Sequence, residues 1–146
     1  MTAPDSGRAG TRAPKILIVD DDLTFGDLTR RRLSRLGYDV KLHGGSSGTL
    51  ELLMRGAFDL LILDVRMPGL DGPELMKMIR SLRDKELKVM FYSSSDNQEL
   101  RRLCEEHGVD AYLNKSATTA EFELRVRDLL GVRAAAWLLQ VKPRSL

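Results

Sequence analysis

Short apolar runs, rich in Ile, Val and Leu at 15–19 and 59–63, occur at 15–19, 59–63, 88–92 and 110–113, with helix-like stretches between them. This alternation restricts the fold more than any other feature of the chain. Runs of four or five apolar residues are too short for a buried helix and suit strands covered on both faces. Segment 38–42 alternates apolar and polar residues and reads as a weaker fifth strand. The stretches between carry apolar residues at helical spacing. Segment 23–36 is predicted to place Phe25, Leu28, Leu33 and Leu36 on one face and Arg30, Arg31 and Arg35 on another, with Gly37 as a stop. Segment 47–55 carries Leu50, Leu53 and Met54, with Gly56 behind it. Segment 72–83 has Pro73 in its first turn and Leu75, Met76, Ile79 and Leu82 facing inward. Segment 96–107 opens on Asp96, a capping residue, and stops at Gly108. Segment 119–130 has a Ser/Thr entry, apolar Phe122, Leu124, Val126 and Leu129, and Gly131 after it.

Buried strands alternating with helices imply an α/β fold whose parallel sheet is covered on both faces. Five such units in a chain of 146 residues fit a flavodoxin-like doubly wound (βα)5 domain, strand order 2-1-3-4-5. The expected organisation is a disordered N-terminal tail over 1–13, one domain over 14–131, and a C-terminal extension over 132–146 forming a short helix or tail. Ala134, Ala135, Ala136, Trp137, Leu138 and Leu139 make that extension either a contact surface for a partner, a segment packed on its own domain, or a remnant of a linker.

Composition narrows the functional classes. Lys and Arg total 23 against 21 Asp and Glu, so a net charge of +2 does not point to nucleic acid. The longest apolar runs, at 60–63 and 134–139, fall well short of the ~20 residues that span a bilayer. Cys104 is the only cysteine, which excludes an internal disulfide and fits a cytoplasmic location.

In doubly wound sheets ligands bind beyond the carboxyl ends of the strands, where the order reverses. The first strand ends in Asp20, Asp21 and Asp22, the third in Asp64, the fourth in Ser93, Ser94 and Ser95, and the fifth in Asn114 and Lys115. Strands one and three are neighbours in the expected order, so their carboxylates converge. Clustered carboxylates raise one another's pKa unless a cation intervenes, and a set of hard oxygen ligands suits Mg²⁺. A hydroxyl and an ammonium from the next two strands complete a surrounding that neutralises a transferring phosphoryl group, and a carboxylate is itself a competent nucleophile. Each residue also has a plainer reading. The aspartate run can be a helix cap, Asp64 a turn residue before Met67-Pro68-Gly69, Ser94 or Ser95 an N-cap, Lys115 a solvated lysine, and Tyr112 a half-buried strand aromatic.

Taken in order, Ile16-Leu-Ile-Val-Asp20-Asp21-Asp22, Asp59-Leu-Leu-Ile-Leu-Asp64-Val-Arg-Met-Pro68-Gly-Leu-Asp71-Gly72, the serine run and Gly108-Val-Asp-Ala-Tyr112-Leu-Asn-Lys115 resemble the receiver domain of bacterial two-component response regulators. The resemblance covers 14–131. It implies Asp64 as phosphoacceptor, and Mg²⁺ on Asp20, Asp21, Asp64 and the backbone carbonyl of Arg66. It further implies Ser93 and Lys115 as the groups that hold the phosphoryl oxygens, and Ser93 with Tyr112 as a conformational switch. Ser93 is preferred to its neighbours because it ends the apolar strand. Where the family usually has proline after the lysine, often in a cis bond, this chain has Ser116.

The implied role is a phosphoacceptor module of a phosphorelay rather than an enzyme. A sensor histidine kinase or phosphotransfer protein would serve as donor and a downstream protein as target. The resemblance also allows a homodimer through the fourth helix, fifth strand and fifth helix, and gives no direct role to nucleic acid or membrane. The alternative is a pseudo-receiver, a scaffold with this fold and no phosphorylation. A Mg²⁺-dependent phosphatase is disfavoured, because the position that would need a second acid is Arg66.

Overall fold

The computed structural model describes residues 12–45, 47–67, 72–82 and 86–131. Five strands and five helices alternate: β1 Lys15–Val19, α1 Leu23–Arg35, β2 Asp39–His43, α2 Thr49–Arg55, β3 Leu60–Leu63, α3 Gly72–Leu82, β4 Lys88–Ser93, α4 Asn97–His107, β5 Ala111–Asn114 and α5 Thr119–Leu130. All strand pairs are parallel and the order is β2-β1-β3-β4-β5, as expected. Among the described residues no helix is long and apolar enough to cross a membrane.

Successive strand residues point to opposite faces of the sheet, and each face has its own core. Ile16, Ile18, Leu60, Ile62 and Met90 pack with Leu33 of α1 and Phe122 and Val126 of α5. Leu17, Val19, Leu61, Leu63 and Phe91 pack with Met76 and Ile79 of α3 and Leu100 of α4. The three central strands therefore carry buried apolar residues on both faces, with Lys15 and Lys88 only at the starts of β1 and β4 and Ser93 at the site end of β4.

Some element boundaries and faces differ from the sequence reading. The second strand begins at Asp39, not at 38. The Tyr38 N–H bonds to the Leu33 carbonyl at the exit of α1, and His43 still pairs with Val19 at the other end. The second helix begins at Thr49, because Gly48 before it has φ +85, a left-handed conformation that suits glycine and breaks the helix. The inward face of α1 is also rotated from that expected. Gly26, Thr29 and Leu33 are buried, whereas Leu28 is 54 % exposed and Leu36 is also exposed. Gly26 meets Leu42 closely: a Cβ there would come 2.7 Å from Cδ1 of Leu42, so a larger residue would require that side chain to shift. Leu124 on α5 and Met54 on α2, which belong to the apolar residues of their segments, are exposed as well.

Candidate functional site

The sheet carries the chain to the site and the backbone turns there. The Asp20 N–H donates to the His43 carbonyl at 3.1 Å and the Asp64 N–H to the Val19 carbonyl at 3.0 Å, which sets the two aspartates side by side just past β1 and β3. The three consecutive aspartates then divide their work. Asp20 is 3 % exposed and accepts from the Asp22 N–H at 2.9 Å. Asp21 is exposed. Asp22 is the N-cap of α1, its Oδ1 accepting from the Phe25 N–H at 3.0 Å. The capping reading of the aspartate run therefore holds for Asp22.

Asp64 is 4 % exposed and held at both oxygens. Its Oδ1 accepts from the Ser93 hydroxyl at 2.8 Å and from the Arg66 N–H at 2.9 Å. Its Oδ2 accepts from the Lys115 ammonium at 3.0 Å. Lys115 also contacts Oδ2 of Asp20 at 2.8 Å, so one ammonium bridges the two buried carboxylates. The serines separate by position. Ser93 is fully buried and faces Asp64, Ser94 is exposed, and Ser95 is buried with its hydroxyl 3.4 Å from that of Ser93. The expectation that Ser94 or Ser95 caps α4 is not met. Asp96 is the cap, accepting from the Glu99 N–H at 2.9 Å, because its carboxylate is one residue nearer the helix. No described residue has a cis peptide bond, and the Lys115–Ser116 bond is trans.

The charges are unevenly accommodated. Burial pushes the Asp20 carboxyl above its ordinary range and the nearby Asp64 charge adds to this, more than Lys115 and the Asp22 N–H offset. Burial acts on Asp64 in the same direction, but the Arg66 N–H, Lys115 and Ser93 outweigh it and hold this carboxyl below its usual range. Burial alone would lower Lys115; its bonds to Asp20 and Asp64 prevail and raise it. Carboxylate oxygens of Asp20, Asp21 and Asp64 can all lie within 4.8 Å of one another. Two buried carboxylates and one exposed carboxylate, with Asp20 short of compensating charge, form an all-oxygen donor set that fits a hard divalent cation such as Mg²⁺.

Arg66 has an exposed side chain and reaches the site through its backbone. Tyr112 is half-buried against the α3–α4 side core, and its carbonyl accepts from Arg125 at 3.1 Å. Two neighbours were not assigned a part from the sequence. Phe25 lies under Lys115, with the ammonium 4.7 Å from the ring centroid. Asn114 joins the loops after β4 and β5 through its side chain. A polar residue at a strand end, one position before the lysine, was the available signal for the second. Phe25 had no signal beyond apolar periodicity.

Comparison with known proteins is consistent with this geometry. Residues 16–127 match the family model of the response regulator receiver domain. The chain is 38 % identical over 116 residues to the response regulator MprA of Mycobacterium leprae and 37 % identical to that of Mycobacterium ulcerans; each match covers 80 % of this chain and 50 % of the relative. The chain thus spans about half the length of the curated relatives it matches. Among solved structures it is similar to a response regulator receiver protein from Burkholderia phymatum, at 29 % identity and a TM-score of 0.71, covering 81 % of this chain and 95 % of that one. It is also similar to a CheY-like receiver domain protein from Methanospirillum hungatei, at 25 % identity and a TM-score of 0.75, covering 84 % and 98 %. The ordered motifs, the strand order and these matches agree, and the chain belongs to the response regulator receiver domain family of two-component systems.

Proposed function

We propose that this chain accepts a phosphoryl group on Asp64 from a histidine kinase or phosphotransfer protein and passes the signal to a partner protein. The observation that carries this reading is the convergence on Asp64: a buried carboxylate held ionised by a hydroxyl, a backbone N–H and an ammonium, beside two further aspartates. Asp20, Asp21, Asp64 and the Arg66 carbonyl would hold Mg²⁺. When bound, the ion neutralises charge on the carboxylates and on the incoming phosphoryl oxygens.

In the transfer, an oxygen of Asp64 attacks phosphorus in line as the bond from phosphorus to the donor's imidazole nitrogen breaks. The electron pair leaves with the imidazole, and an acyl phosphate remains on Asp64. Lys115, already on Asp64 at 3.0 Å, shifts its charge to a phosphoryl oxygen. Ser93 exchanges its bond to Asp64 for one to another phosphoryl oxygen, and Tyr112 responds to the space that this movement opens. The signal then leaves by the α4–β5–α5 face, toward a protein target or a second copy of the chain.

Incubation with acetyl phosphate and Mg²⁺, followed by intact-protein mass measurement, tests the proposal. The expected result is one phosphoryl mass gain, lost in Asp64→Ala and without Mg²⁺. No gain in the unsubstituted protein, as a pseudo-receiver would give, or a gain that persists in Asp64→Ala, overturns it.

A further inference from the structure

The backbone pairing of β4 with β5 ends at the site. Ser93 stands opposite Asn114, and the Lys115 N–H donates to the Ser93 carbonyl at 2.9 Å as the last rung. Beyond it the two chains part, one toward α4 and the other toward α5. The Asn114 side chain bridges them. Its Nδ2 donates to the Ser95 carbonyl at 2.8 Å, and its Oδ1 accepts from the Ser116 N–H at 2.9 Å. Only one orientation of the carboxamide serves both bonds, because the reverse would set donor against donor and acceptor against acceptor. Ser95 is 1 % exposed and Asn114 half-buried, so water competes poorly for the Ser95 bond, while the Ser116 bond lies at the surface.

The two tethered segments carry the two groups that hold Asp64 from opposite sides. Ser93, two residues before Ser95, bonds to Oδ1; Lys115, next to Ser116, bonds to Oδ2. We propose that Asn114 is a positioning residue for phosphoryl transfer: its carboxamide ties Ser95 to Ser116 and so sets the Ser93 hydroxyl and the Lys115 ammonium at a fixed separation across Asp64. It acts as a side-chain rung added to the sheet after the backbone rungs have ended. It also makes the two loops move together when the hydroxyl changes partner. This inference rests on the assignment of Asp64 as phosphoacceptor.

Phosphorylation by acetyl phosphate with Mg²⁺, followed by mass against time, provides the test. Asn114→Ala, which removes both bonds, is expected to slow phosphorylation about tenfold, equivalent to ~1.4 kcal/mol. Its Mg²⁺ affinity is expected to stay within about twofold of the unsubstituted protein, since that site is made by other residues. Asn114→Asp keeps an oxygen for the Ser116 N–H but sets an oxygen against the Ser95 carbonyl in place of the donor, so it is expected to slow the reaction at least about threefold; it carries the test if Asn114→Ala does not fold.

A second reading separates positioning from general destabilisation. Ser93→Ala is expected to slow the reaction less in the Asn114→Ala background than in the unsubstituted one, because the hydroxyl is already misplaced there. A rate for Asn114→Ala within about twofold of the unsubstituted protein, or fully multiplicative effects of the two substitutions, overturns the positioning role while leaving Asp64 as acceptor. Absence of any mass gain in the unsubstituted protein overturns the Asp64 assignment and this inference with it.

Discussion

The Lys115 ammonium lies between Asp20 and Asp64 and over the ring of Phe25. Phe25 is itself tilted against Tyr92, and Tyr92 is stacked on Phe122. The ammonium thus rests against the first ring of an aromatic row as well as on the two carboxylates. Lys115 uses Oδ2 of Asp20 and Oδ2 of Asp64, atoms of the same carboxylates proposed to hold Mg²⁺, so the two cations compete for charge. Replacing Lys115 by Met would leave two buried carboxylates without a compensating charge. Without Mg²⁺ the variant is expected to lose about 3 kcal/mol of stability, because breaking a buried pair strands its partners. Added Mg²⁺ is expected to raise its melting temperature more than that of the unsubstituted protein, as ligand linkage requires for tighter binding. Thermal melts across a Mg²⁺ titration check both; an equal Mg²⁺ response in the two proteins would exclude the competition.

At the scale of elements, α1 shows how packing overrides a sequence pattern. The pattern Phe25, Leu28, Leu33, Leu36 gives a plausible apolar stripe, yet the helix seats itself on Gly26, Thr29 and Leu33. A small residue admits the sheet more closely than a leucine can, and the Thr29 hydroxyl is satisfied within the helix by the Phe25 carbonyl at 3.0 Å. Two substitutions distinguish these phases. Leu33→Ala is expected to cost about 3 kcal/mol in denaturant unfolding, as a fully buried leucine does. Leu28→Ser is expected to cost less than ~0.5 kcal/mol, as an exposed position does. Comparable losses at the two positions would mean that the helix is seated differently.

For the whole molecule, the sheet separates two cores, and the one under α1 and α5 contains tyrosines held neutral. Burial pushes the Tyr38 hydroxyl above its ordinary pKa, with Glu123 adding to this and Arg127 opposing it. The folded value therefore exceeds the unfolded one of about 10. The corresponding stability is fully present below that pH and is lost as pH rises through the folded value. Tyr38→Phe should match the unsubstituted protein in its pH dependence between about pH 7 and 9 and decline less steeply above about pH 10. Chemical unfolding at a series of alkaline pH values measures this, and parallel decline of the two proteins would rule out Tyr38 as a contributor.

Strand–helix alternation, the five-stranded order and the four strand ends that bear chemistry were legible in the chain itself. Runs such as Leu60–Leu63 have no polar position, which only burial on both faces explains. The pairing of Asp20 with Asp64 followed from the same order, since neighbouring parallel strands deliver their ends to one place. Other features needed the folded chain. The end of the apolar strand favoured Ser93 over Ser94 and Ser95, but that its hydroxyl donates to Asp64 at 2.8 Å depends on how the end of β4 lies against β3. The inward face of α1, with Gly26, Thr29 and Leu33 buried and Gly26 against Leu42, rests on contacts between residues of different elements. The Asn114 bridge depends on where two loops lie once the strands have paired. Local periodicity reports how each element meets an apolar surface. Which atoms meet across elements is decided by packing, because those contacts join residues far apart in the chain.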